Sequence, residues 1–278
     1  DVEAIYAGFV ARLGPLGLTL DIDALPAQRA EMAELLRRRG IDLDGVGFAP
    51  APGVDWAVST PDREGLDRAA IARLFYEAAA MPELRAVLVA RGDHLIAEGY
   101  FNGSQPDDRN RIASVTKSVT SALVGIALDR GDLSSIDDPV LGHFPEMLDR
   151  VRNARKRSVT LRHLLQMRSG FPWEEMDPGL WAGLLSGSYP RLLEDYPLVN
   201  DPGGGFNYSN LSSNWLGIIL ARACECDLRE YAQRHLLDAM AIEAGDWGTD
   251  AEGHRNGCGN LHLRPRDMAK LGRLYLDG

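Results

Sequence analysis

Two strand-like runs, Arg85-Ala-Val-Leu-Val-Ala-Arg91 and His94-Leu-Ile-Ala-Glu-Gly-Tyr-Phe101, flank the turn pair Gly92-Asp93 and read together as a β-hairpin. Strand patterning then stops. From Ser114 to about residue 240 the apolar residues recur at helical spacing, in segments over Ser114–Arg130, from Thr160 to Gly170, and over 212–223 and 227–239. A last helix is predicted over 265–276. An isolated hairpin is barely stable in water, so it must be extended by other strands and covered by helices. This order predicts an α/β (α+β) protein, with an antiparallel sheet flanked by helices and a mainly helical domain inserted after the first strands.

Domain limits follow the same pattern. Residues 1–54 are expected to form an N-terminal helical extension, with helices near 3–13 and 26–39, and a linker. That linker is Phe48-Ala-Pro-Ala-Pro-Gly53, held extended by its prolines. Residues 55–113 begin the α/β domain and include a helix over 67–80, with Ile71, Leu74, Phe75 and Ala78 on its inner face. Residues 114–240 make the helical domain, and 241–278 return toward the α/β domain. Few strand candidates follow residue 240, so the strands that complete the sheet are expected beyond Gly278. The tract 171–207, rich in Trp, Pro and Gly, reads as a long irregular region of the kind that often carries function.

Composition excludes several classes. At 278 residues, 45% apolar and 25% charged, the chain has the makings of a real core and not of a disordered, collagen-like or coiled-coil protein. A formal net charge of −10 opposes a phosphate backbone, so no nucleic acid partner is expected. The one dense basic run, Arg150-Val-Arg-Asn-Ala-Arg-Lys-Arg157, reads as a solvated loop. No stretch approaches the roughly 18 to 20 uncharged apolar residues of a membrane span. The start, Asp1-Val-Glu-Ala, has no initiator Met and no signal-peptide regions, which fits either a removed leader or a start inside a longer chain. Cys224, Cys226 and Cys258 cannot make a disulfide framework. His254, Cys258 and His262 are residue types that bind zinc, but no further ligand pair sits near them; loop hydrogen bonding is expected instead, with no metal.

Lysine usage is more pointed. Of 30 basic residues only Lys117, Lys156 and Lys270 are lysine. Guanidinium cannot serve as a base, so a retained lysine invites the question of whether a deprotonable amine is needed. Lys156 and Lys270 read as incidental surface residues. Lys117 does not, because Ser114-Val-Thr-Lys117 opens an apolar helix. Residues i and i+3 share a helix face, so hydroxyl and amine meet, and the helix N-terminus favours a developing anion. Serine is a poor nucleophile until a neighbouring base takes its proton. Lysine serves as that base where apolar flanks such as Ile112, Ala113, Val115 and Val119 disfavour its charge.

A second motif, Tyr208-Ser209-Asn210, follows Asp201-Pro-Gly-Gly-Gly205. A tyrosine hydroxyl can relay a proton, and an amide can hold a substrate carbonyl or a lysine. Tyr100-Phe101-Asn102 has the same spacing but lies in the hairpin and reads as a strand end. The glycines at 203–205 are no phosphate loop, since no Gly-Lys-Ser/Thr follows.

Ser-x-x-Lys opening a helix, with Pro-Gly-x(4)-Tyr-Ser-Asn far downstream, resembles the serine β-lactamase and penicillin-binding-protein superfamily. The resemblance is greatest to the class C β-lactamase-related esterases and amide hydrolases, the 6-aminohexanoate-dimer hydrolase-like group. Trp56-Ala-Val-Ser-Thr-Pro61, Leu88–Phe101, Ser114–Gly125, Thr160–Gly170 and Arg264–Gly272 carry it, and together they span about residues 55–278. The group's third motif, Lys/His-x-Gly on a strand, is not found. Lys270-Leu-Gly272 has the letters but sits in a helical pattern. The resemblance implies a β-lactamase-like fold and one oxyanion-hole N–H on Ser114, with the other on a strand beyond Gly278.

The expected function is a serine hydrolase that forms a covalent acyl-enzyme on an ester or amide bond, a β-lactam among the candidate amides. Ser114 is the nucleophile, Lys117 and Tyr208 manage the proton and Asn210 positions the substrate; no cofactor is required. The resemblance favours esterase or amidase over β-lactamase. The alternatives are a catalytically silent binding protein on the penicillin-binding scaffold, suggested by the missing third motif, and a plain helical binding domain with incidental motifs.

Overall fold

A computed structural model describes residues 46–53 and 55–277. The helices expected near 3–13 and 26–39 lie outside the described residues. The chain divides into two compact units after Gln105.

In the first unit the hairpin forms as read. Strand β1 (Ala57–Val58) is followed by helix α1 (Arg68–Ala79) and strands β2 (Ala86–Arg91) and β3 (His94–Tyr100). β2 and β3 pair antiparallel, from Ala86 opposite Tyr100 to Arg91 opposite His94, with a bulge between Val89 and Ala90. The turn rests on Gly92, whose φ of +54° disfavours a side chain. β1 joins the other edge of β3 in parallel, so the sheet is mixed where an antiparallel one was expected. Helix α1 is capped by Asp67, which accepts the Ala69 N–H. Its buried residues are Ile71, Ala72, Phe75 and Ala78, with Leu74 turned outward in place of the expected inner position.

The small residues of β3 explain the packing. A Cβ on Gly99 would lie 2.7 Å from the Phe75 ring, and Ala97 shares that face two residues earlier, so the strand leaves room for an aromatic cluster. Phe48 completes it, its ring 5.6 Å from that of Phe75. The stretch expected to be a linker is therefore docked: the Phe48 carbonyl accepts the Glu98 N–H, and buried Glu98 accepts the Ala51 N–H.

The second unit is mainly helical. After strand β4 (Asn110–Arg111) and a 3-10 turn (Ala113–Val115) comes α2 (Thr116–Arg130), which ends at Gly131 in the left-handed conformation, as expected. One-turn helix α3 (Ala154–Arg157), α4 (Leu161–Leu165), α5 (Pro178–Ser186) and α6 (Tyr189–Asp195) follow. Then come α7 (Asn210–Ala223), α8 (Leu228–Ala232), strand β5 (His262–Leu263) and α9 (Pro265–Asp277). β5 pairs antiparallel with β4, which ties the segment just before Ser114 to residues 262–263.

Helix α7 is buried from Asn210 to Leu220, its polar first turn (Asn210, Ser212, Ser213 and Asn214) included, and its apolar residues from Trp215 to Leu220 join the core. Val119, Leu123 and Ala127 of α2 belong to the same core. The predicted inner face of α2 is rotated: Val115 is exposed, and Thr116 and Thr120 are buried in its place. Both hydroxyls are satisfied, donating to the carbonyls of Ala113 and Gly257 at 2.8 Å.

Other expectations are corrected here. The tract 171–207 contains helices α5 and α6. The basic run 150–157 is not a loop throughout, since Asn153 caps α3 within it. Lys156 is no surface residue: it is buried, donates to the Glu194 carbonyl at 2.5 Å, and burial pushes its ammonium below the ordinary lysine range. Lys270, on α9, donates to the Met240 carbonyl at 2.9 Å. Among the described residues, no helix is long and apolar enough to cross a membrane.

Candidate active site

The 3-10 turn that opens α2 is built around an unusual residue. Ala113 has φ +44°, a left-handed conformation that costs a residue with a Cβ about 1–2 kcal/mol. The turn presents Ser114 to solvent, and Thr116 ties it down through its bond to the Ala113 carbonyl. One helical turn on, Lys117 Nζ reaches Ser114 Oγ at 3.1 Å.

The amine is held from two other directions. Lys117 Nζ donates to Asn210 Oδ1 at 2.8 Å and to the Cys258 carbonyl at 2.9 Å. Neither oxygen has a proton to give. Two amine hydrogens are therefore directed away from the serine, and the third nitrogen valence, hydrogen or lone pair, points at Ser114 Oγ. Tyr208 approaches from the other side, its hydroxyl donating to Ser114 Oγ at 2.8 Å, while its ring lies 4.7 Å from Lys117 Nζ. Trp173 packs edge-on against the Tyr208 ring, with centroids 5.7 Å apart. All four residues singled out in the sequence, Ser114, Lys117, Tyr208 and Asn210, thus meet in one hydrogen-bonded group.

The segment bearing Tyr208 and Asn210 is fixed by a residue that sequence reasoning missed. Glu174 is completely buried. Its carboxylate accepts the Ser209 hydroxyl at 2.7 Å and the backbone N–H groups of Asn210 and Leu211 at 2.9 and 3.1 Å. These N–H groups open α7, where an anion is favoured by the helix dipole and by otherwise unpaired donors. Ser209 completes the cap by accepting the Ser212 N–H at 3.1 Å. Next to Glu174, exposed Glu175 accepts Asn210 Nδ2 at 2.9 Å. The only sequence signal for these acids was their place in the tract 171–207; no spacing links them to residue 210.

The third wall is the segment Asn256-Gly-Cys-Gly-Asn260. A Cβ on Gly257 would sit 2.1 Å from the Ser213 carbonyl oxygen, so only glycine lets this backbone lie against α7. Once there, the Gly257 carbonyl takes the Thr120 hydroxyl, and the Cys258 N–H donates to Asn214 Oδ1 at 3.0 Å. The Cys258 carbonyl is thereby aimed at Lys117. Burial pushes the Cys258 thiol up, against the opposing pull of Lys117. His254 hydrogen-bonds Asp250 and His262 Nδ1 faces the Asp246 carbonyl, so these histidines and Cys258 are engaged separately. Asp250, Glu252 and His254 do form a group with ligand-type atoms within 4.8 Å of one another. Asp250 Oδ1 there accepts the N–H groups of Glu252 and His254.

Comparison with known proteins agrees with this architecture. The 6-aminohexanoate-dimer hydrolase of Paenarthrobacter ureafaciens is 26% identical over 208 residues, covering 69% of this chain and 52% of that protein. The monacolin J acid methylbutanoyltransferase of Aspergillus terreus is 33% identical over 158 residues, covering 50% of this chain and 38% of that one. The chain thus spans about half or less of the length of these relatives. Among solved structures, EstCE1, a hydrolase with promiscuous acyltransferase activity, has the same fold, with a TM-score of 0.59 at 15% identity over 73% of this chain and 69% of that one. The family model described as Beta-lactamase matches residues 71–276, which include every residue of the site, and the chain belongs to the beta-lactamase family.

Proposed function

We propose that this chain carries the acyl-enzyme centre of a serine hydrolase acting on ester or amide bonds. The observation that supports it best is the double contact on one hydroxyl: Ser114 Oγ lies 3.1 Å from Lys117 Nζ and 2.8 Å from the Tyr208 hydroxyl.

In this reading Ser114 Oγ attacks the substrate carbonyl carbon as its proton passes to the neutral Lys117 amine. The carbonyl π electrons move to oxygen, where the backbone N–H of Ser114 is one of the donors that receive the oxyanion. Collapse of the tetrahedral intermediate breaks the bond to the leaving alkoxide or amine. That group takes the proton of the Tyr208 hydroxyl, and the Lys117 ammonium, whose nitrogen lies 4.7 Å from the Tyr208 ring, returns its proton to the tyrosinate. Water then attacks the acyl-serine by the same route in reverse, and the acid departs. The second Nδ2 hydrogen of Asn210 is the one assigned to the substrate.

Substrate class rests on likeness. Relatives named for hydrolysis of a 6-aminohexanoate dimer and for transfer of a methylbutanoyl group favour a linear ester or amide over a β-lactam. The test is turnover of a chromogenic short-chain ester, a linear amide and a penicillin by the protein and by its Ser114→Ala variant. The expected result is ester or amide turnover that vanishes in the variant. Turnover that survives in Ser114→Ala, or none with any of the three, contradicts the reading.

A further inference from the structure

The side-chain amide of Asn210 can be turned over about its last bond, exchanging oxygen for nitrogen at almost no change in shape. Its orientation decides what the neighbouring amine can do. With Oδ1 toward Lys117, the lysine is confined to donating there, and its remaining valence faces Ser114 Oγ. With Nδ2 toward Lys117, a neutral lysine would accept from the amide, and the lone pair needed by Ser114 would be occupied.

Charged lysine alone forbids the second arrangement, since it would set donor against donor. That safeguard disappears in the very state the chemistry needs, when the amine is neutral. A carboxylate on the far side of the amide restores it, because a carboxylate only accepts. Glu175 Oε1 is that group, 2.9 Å from Asn210 Nδ2. Its neighbour does a separate job: buried Glu174 binds the backbone N–H groups of Asn210 and Leu211 and the Ser209 hydroxyl. Glu174 fixes the main chain of residue 210, which leaves the amide rotor as the free variable.

We propose that Glu175 is a positioning residue that locks the Asn210 amide with Oδ1 toward Lys117, and so keeps the neutral amine available to Ser114. The proposal rests on the hydrolase reading for its catalytic consequence, but the lock itself is a property of the resting protein.

The test compares Glu175→Ala with Glu175→Gln, both at an exposed position. Gln retains an oxygen that accepts from Asn210 Nδ2, whereas Ala retains nothing. Acylation of Ser114 by a fluorophosphonate, followed by intact mass, is expected to slow about tenfold in Glu175→Ala, the effect of one hydrogen bond. Glu175→Gln keeps the acceptor but its own amide can also turn and donate, so it is expected to slow by less than Glu175→Ala, between that variant and the parent. In parallel, the Asn210 side-chain amide resonances, assigned by their loss in Asn210→Asp, should be exchange-protected in the parent and in Glu175→Gln, and unprotected in Glu175→Ala. Unchanged Asn210 resonances in Glu175→Ala overturn the proposal whatever the labelling rates. So does parent-like labelling of Glu175→Ala, or equal impairment of both variants. If the parent itself resists labelling, the hydrolase reading fails, and the resonances alone still uphold or overturn the lock.

Discussion

The two halves of the site are held by different physics. Ser114 and Lys117 are neighbours because a helix makes them so: one turn sets their spacing, and the contact survives wherever that turn forms. The groups that orient the amine come from 93 and 141 positions away, and each depends on a specific tertiary device. For Asn210 the device is a buried carboxylate at a helix start; for Cys258 it is a glycine where no side chain fits. A local motif brings hydroxyl and amine together, and the distant walls decide which way the amine's remaining valence points.

The comparison is broken most severely at the shared atom. Lys117→Arg puts a permanent guanidinium charge beside Ser114 and removes the proposed base, so kcat should fall by about 10² to 10⁴ while the melting temperature stays near that of the parent. A fall in kcat below tenfold would mean that Tyr208 alone moves the proton.

Cutting the Asn210 wall should affect stability as well as rate. Glu174→Ala leaves buried donors at Ser209, Asn210 and Leu211 without an acceptor, and is expected to lower unfolding free energy by roughly 3 kcal/mol in urea denaturation. The Cys258 wall can be tested at Gly257. A Cβ there must displace the backbone of 256–258 or of α7, so Gly257→Ala should cost about 1–3 kcal/mol and reduce turnover together. Gly125→Ala, on the open face of α2 beside the local motif, is the control and should stabilise by about 0.5–1 kcal/mol with turnover unchanged.

The smallest effect lies outside both halves. His163 closes the capping box of α4 by accepting the Thr160 N–H at 3.2 Å, which requires a neutral ring, and burial holds it below the ordinary histidine range. The unfolded chain therefore binds this proton more readily than the folded one. The contribution is complete above about pH 6.5 and is lost as pH falls below it. His163→Gln keeps a capping acceptor without a titration, so its melting temperature should drop less than the parent's between pH 7.5 and pH 5.5.

How much of this could be read in the residues follows the same division. The hairpin, α1, α2 and α9 were legible because each has a local period, and the hairpin and α2 also have local punctuation in Gly92 and Gly131. Ser114 and Lys117 were legible for the same reason. Tyr208 and Asn210 came from a motif resemblance, because no local rule ties them to Ser114. The rest was hidden by tertiary packing. The burial of Thr116 and Thr120 in place of Val115 depends on the left-handed Ala113 and on the Gly257 carbonyl, neither visible as a period. Glu174 looked like an ordinary acid in an irregular stretch, yet it is buried against donors 35 and more positions away. Phe48 lies in a proline-rich stretch that reads as a linker, and only the distant ring of Phe75 makes it part of a core.

Exposure of the protein and its Ser114→Ala variant to a fluorophosphonate, read by intact mass, goes straight to the reactivity of the hydroxyl held between Lys117 and Tyr208. One stoichiometric adduct on the parent, mapped to Ser114 and absent from the variant, is the predicted result. An unmodified parent, under conditions where a related hydrolase labels completely, would contradict the account.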